Sequence, residues 1–99
     1  KLNRYLNRKN EFILANQVLK SGTSIAANIE EAIGGCSRKE FIAKVSISYK
    51  EARETRLWIR LMRDNGILLN NEADSILADC EELIRILTAI LKTSKSRNI

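Results

Sequence analysis

Ninety-nine residues, 44% of them hydrophobic and 29% charged, fit one domain (1–99) with a single modest core. No apolar run approaches the ~20 residues of a membrane span, and two cysteines, Cys36 and Cys80, provide neither a disulfide framework nor a metal-ligand spacing. Histidine is absent, removing the commonest general base and metal ligand, so the composition points to a reduced, cytoplasmic, non-enzymatic protein with no cofactor and no metal.

The net charge of +5 is distributed in stripes. Residues 1–20 and 35–65 are each basic, 66–91 are acidic, and the tail is basic again through Lys92, Lys95 and Arg97. Such a pattern permits an anionic partner.

The first segment, 1–6, reads as the last turns of a helix ended near Asn7 and Asn10; the chain opens on lysine, and most of that helix is expected upstream. A second helix spans about 11–33, where Leu14, Val18, Ile25, Ile29 and Ala32 recur at helical spacing. Gly22 interrupts it at a cost of about 1 kcal/mol relative to alanine, best explained by close approach of another helix. Gly34 and Gly35 supply the stop.

Ser37 and Glu40 have capping-box spacing and open a third helix, 37–65, a rod of about 40 Å. Asn65-Gly66 closes it, and Asn70 is expected to cap a last helix over 71–93, followed by a basic tail, 94–99. That last helix carries the clearest amphipathic stripe, Ile76, Cys80, Leu83, Leu87 and Ile90, with Cys80 as a small core hydrophobe. Nothing alternates as a strand does. The class is all-α, and the short connections favour antiparallel neighbours.

The 37–65 helix has three distinct faces. Phe41, Val45, Ser48, Ala52, Thr55 and Ile59 form a core face whose small middle members admit a close neighbour. Ile47, Trp58 and Leu61 lie roughly 100° or more away, a second apolar set to be covered by another helix of this chain or, the preferred reading, by another subunit. Arg53, Arg56, Arg60 and Arg63 occupy an arc of roughly 80°. Two readings of this strip stand: it binds the phosphates of RNA or DNA, together with Lys92, Lys95 and Arg97, or it is a solvated face or pairs with Asp79, Glu81 and Glu82 of the acidic last helix of this or a neighbouring subunit. An acidic protein is the alternative outside partner.

Two apparent catalytic motifs dissolve on inspection. Lys20-Ser21-Gly22-Thr23-Ser24 lacks the glycines that precede the lysine of a phosphate loop, and it sits inside a helical pattern. Glu30 and Glu31 are adjacent, so they point in different directions.

The stretch Thr23-Ser24-Ile25, Asn28-Ile29, Glu31-Ala32 resembles the signature of the bacterial 23S rRNA-intervening sequence proteins. The likeness continues through Ser37-Arg38-Lys39-Glu40-Phe41, Lys50-Glu51-Ala52-Arg53-Glu54-Thr55, Trp58 and Asp79-Cys80-Glu81-Glu82-Leu83, and ends in Lys92-Thr93-Ser94. It implies an antiparallel up-and-down four-helix bundle, its first helix largely upstream of residue 1, assembled as a ring-like homo-oligomer, a homopentamer, of largely unassigned role. A related group, the accessory proteins of diversity-generating retroelements, is basic and binds nucleic acid. The resemblance also implies that Ser24, Asn28, Glu31, Glu54 and Thr55, polar residues on otherwise apolar helices, form an interhelical hydrogen-bond network. A functional pocket there is the alternative.

Overall fold

In the computed structural model, the backbone of residues 2–35 and 37–96 and the side chains of 8–35 and 37–96 are described. They form three helices, α1 (Leu2–Ile33), α2 (Arg38–Asp64) and α3 (Asn70–Ser96), and the all-α class stands.

The expected break near Asn7 and Asn10 does not occur: α1 runs through both positions. The reason lies in the size of the penalty. Asparagine costs a helix well under 1 kcal/mol per residue, and no proline or glycine stands there to end the ladder. The stub at 1–6 and the helix at 11–33 are therefore one element, within the described residues.

The two turns are built from local chemistry. At the start of α2 the Ser37 hydroxyl accepts the Glu40 N–H at 3.2 Å, and its carbonyl takes the Phe41 N–H at 2.8 Å. At the other end Ile67 N–H reaches the Met62 carbonyl at 2.8 Å and Gly66 N–H the Arg63 carbonyl at 3.1 Å. This Schellman closure needs a left-handed residue, and Gly66 supplies it at φ +72°. α3 begins at Asn70 itself instead of using it as the cap; the Leu69 carbonyl takes the first bond, from Ala73 at 2.9 Å. Its far end is satisfied from elsewhere. Arg38 donates to the Ser94 carbonyl at 2.6 Å, placing a cation on the negative end of the helix.

α2 is the central helix. α1 and α3 both pack on it, and among the described residues no Cα of one lies within 8 Å of a Cα of the other. Of the expected core face, Val45, Ser48, Ala52, Thr55 and Ile59 are buried, and Phe41 is half-buried against the core cluster. Ile25 and Ala32 of α1, Val45 and Ala52 of α2, and Leu87 of α3 form one cluster; Ile59, Ala73 and Leu77 form a second toward the α2–α3 turn. The result is a slender body, 61 × 21 × 16 Å, built in the described residues from three helices, with α1 and α3 flanking α2.

Candidate functional site

The arginine strip lies against the acidic helix. Arg56 donates to Glu81 at 2.8 Å, and Arg60 reaches the same oxygen at 3.5 Å. Arg63 is flanked by Asp74 and Asp64, each at 3.3 Å. Among the described residues Arg53 pairs with no carboxylate; it lies over the Tyr49 ring, 5.7 Å from its centre. Glu82 instead pairs with Arg85 on its own helix, and Asp79 joins no ion pair among the described residues. Lys92 and Lys95 are exposed near the end of α3; Arg97 lies outside the described residues.

The expected polar network is not one connected system. Asn28 turns back on Ser24 of its own helix, bonding its carbonyl at 2.8 Å and its hydroxyl at 3.3 Å. Glu31 pairs with Lys44 at 3.3 Å. Thr55 crosses the interface, but its partner is Ser21, at 2.7 Å. Ser48 adds a second crossing, donating to the Ile25 carbonyl at 3.2 Å. A residue four positions back on the same helix is always within reach, so Ser24 and Asn28 satisfy each other locally. Glu54 is half-buried and lines an open cleft of about 220 Å³ with Gln17, Lys20, Ser21, Ser24 and Glu51. Asn28 is not part of it.

Of the apolar set on the far side of α2, only Ile47 is exposed; Trp58 and Leu61 are half-buried. A larger uncovered surface lies on α1, where the sequence reading saw only the stripe that meets α2. Phe12, Ala15, Leu19, Gly22, Ala26, Ile29 and Ile33 follow the alternating three- and four-residue steps of a heptad seam, centred roughly 90° from the α2-facing stripe. Phe12, Leu19 and Ile33 are 70%, 68% and 72% exposed. Gly22 has open space where a Cβ would stand, so the close approach expected at this glycine is not made within the described residues.

α3 presents a matching edge. Ile76, Leu83 and Ile90 recur every seven residues, with Ile76 exposed. Ile29 of the seam and Leu83 and Ile90 of α3 pack on the same core cluster. The α1 seam and the α3 stripe therefore both reach the same core cluster.

The sequence profile of the 23S rRNA-intervening sequence protein matches residues 1–89. The chain belongs to that family. A solved structure described as a protein with unknown function from the S23 ribosomal protein family of Bacteroides thetaiotaomicron VPI-5482 is 39% identical, with a TM-score of 0.80. The match covers 92% of this chain and 87% of that one. No curated protein matches the chain. Among the described residues no helix is long and apolar enough to cross a membrane.

Proposed function

We propose that this member of the 23S rRNA-intervening sequence protein family is a non-enzymatic assembly module whose copies associate through helix faces. The uncovered heptad seam of α1 carries the reading. Leaving large apolar side chains in water over a 22-residue stripe is unfavourable, and contiguous patches of this kind mark association surfaces. A helix of a second copy, laid between α1 and α3, covers both stripes and completes a four-helix bundle. Gly22 and its small neighbours Ala15 and Ala26 suit such an approach. A homopentameric ring, as the family resemblance implies, is the assembly we propose, in a bacterial cytoplasm that keeps Cys80 a free thiol.

A purely structural oligomer without a ligand is the second reading. It is favoured by the ion pairs that tie Arg56, Arg60 and Arg63 to acids of the same chain.

Light scattering tests assembly. It is expected to return a multiple, five in the proposed ring, of the 11.3 kDa chain mass. Leu19→Glu, which places a charge in the middle of the seam, is expected to lower that mass while the helical circular dichroism persists. A monomer at all concentrations overturns the proposal.

A further inference from the structure

The four arginines are not equivalent once their acids are assigned. Arg63 stands between two carboxylates, Asp64 and Asp74, and is neutralised. Arg56 and Arg60 share one carboxylate oxygen of Glu81, so one positive charge is left over. Arg53 is stacked on Tyr49 without an acid, and Lys50, one turn earlier, is exposed with no ion pair among the described residues. Lys50, Arg53, Arg56 and Arg60 line one groove of about 480 Å³ along α2, with Tyr49, Leu57 and Glu54. Four cations against Glu54 and Glu81 leave this groove with a surplus of positive charge.

We propose that the groove binds single-stranded nucleic acid, with backbone phosphates on Lys50, Arg53 and Arg60 and bases packed on Leu57 and on the Arg53–Tyr49 stack. The proposal stands independently of self-association. Lys50, Arg53, Leu57 and Arg60 step along one side of the helix over roughly 15 Å, at 1.5 Å per residue. At ~3.4 Å per nucleotide of a stacked strand, that length meets roughly four nucleotides.

Charge alone suits any polyanion, so the flat and apolar groups decide the class. A guanidinium held on an aromatic ring is a platform for a planar base, and Leu57, 50% exposed beside it, offers a second. An acidic peptide brings a flat ring only where it carries an aromatic residue, whereas every nucleotide brings a planar base. A duplex fits less well than a single strand. The cationic strip is one helix wide, and the acids of α3, among them the half-exposed Glu81, border it and repel a second phosphate backbone.

The test is fluorescence anisotropy of a labelled 12-residue oligouridylate with the full chain, from 20 to 200 mM salt. Binding is expected at low salt, with log affinity falling against log salt at a slope of about −2 for three phosphate contacts on a single strand. The double variant Lys50→Ala/Arg53→Ala alters two exposed side chains, and its circular dichroism checks the fold. It is expected to bind at least tenfold more weakly, with a slope shallower by about 1.4. Glu81→Gln, which removes the shared acid, is expected to tighten binding. Arg63→Gln is expected to change it less than twofold. Absence of binding at 20 mM salt overturns the proposal, as does an equal loss from Arg63→Gln. A duplex of the same length bound as tightly, or polyglutamate bound with the same dependence on Lys50 and Arg53, also overturns it. The mass measured by light scattering is read separately, so loss of assembly with RNA binding intact sinks only the assembly reading.

Discussion

The hydroxyls of Ser21 and Thr55 meet 2.7 Å apart in the buried interface between α1 and α2, joining residues 34 positions apart. Two protons serve four acceptors: the partner hydroxyl and three carbonyls, of which Val18 lies 3.3 Å from Ser21. Ser21 also reaches the Gln17 carbonyl at 2.9 Å, and Thr55 the Glu51 carbonyl at 2.8 Å. One hydroxyl therefore donates across the interface and the other back into its own helix. Thr55→Val keeps the shape and leaves Ser21 free to donate to Gln17, so no group is orphaned. The expected loss is about 1 kcal/mol, the net value of one such bond. In thermal unfolding this lowers Tm by roughly 4–8 °C for a chain of this size. Ser21→Ala and the double variant complete a cycle; additive effects would show that the crossing bond contributes nothing.

The sequence made Thr55 visible as a polar residue on an apolar face, yet it did not reveal Ser21 as the partner. Helical periodicity tells which way a residue points, and it is silent on the axial offset between two helices. That offset decides whether Thr55 meets Ser21, Ser24 or Asn28. The same limit applies to the acids. Charge stripes announced that α2 and α3 attract, but the packing angle selects Glu81 and leaves Glu82 to Arg85. Helix caps are different, because Ser37 and Gly66 act within a few residues of themselves and are legible from local pattern. The α1 seam did not stand out. Its three- and four-residue steps are present in the sequence, but they run beside a second stripe that the core uses, and Gly22 masked their regularity.

Glu81 anchors the electrostatic contact of α3 with α2 while remaining half exposed, and the Arg56 side chain is 21% exposed. Pairs in such surroundings are screened and contribute at most about 1 kcal/mol. Glu81→Gln is therefore expected to cost roughly 0.5 kcal/mol, a few degrees in Tm, in low salt. Calorimetry in 1 M salt, where the screening length is about 3 Å, should erase most of the difference. A loss that persists in high salt would mean that Glu81 acts through packing.

Cys80 sits against the second core cluster beside Ile59 and Leu77. Burial pushes its thiol above the ordinary range, the carboxylates of Asp79 and Glu81 push it further, and Arg56 opposes them. A thiol with a raised folded pKa holds its proton more tightly in the fold than in the unfolded chain. Its contribution to stability is complete below the unfolded thiol pKa, and is lost as pH rises through the folded value. In a Cys36→Ser background, alkylation of Cys80 at pH 8 is expected to be slower than in denaturant. Stability should fall more steeply between pH 8 and 10 than it does in Cys36→Ser/Cys80→Ala. Alkylation as fast as in the unfolded chain would contradict this account.

Gly22 separates an idle surface from an occupied one. A Cβ added there meets nothing within 4 Å, and glycine inside a helix costs about 0.5–1 kcal/mol relative to alanine. If the seam stays in water, Gly22→Ala and Gly22→Leu both stabilise the chain, because each restricts the unfolded backbone without a clash. If a helix seats on the seam, the larger side chain separates two backbones that glycine allows to touch. The proposed assembly then predicts that Gly22→Leu lowers the mass seen by light scattering while helix content is retained, with Gly22→Ala between it and the parent. Raised Tm with unchanged mass for both variants would place the association surface elsewhere, and the exposed Ile47 on the far side of α2 would be the next position to test.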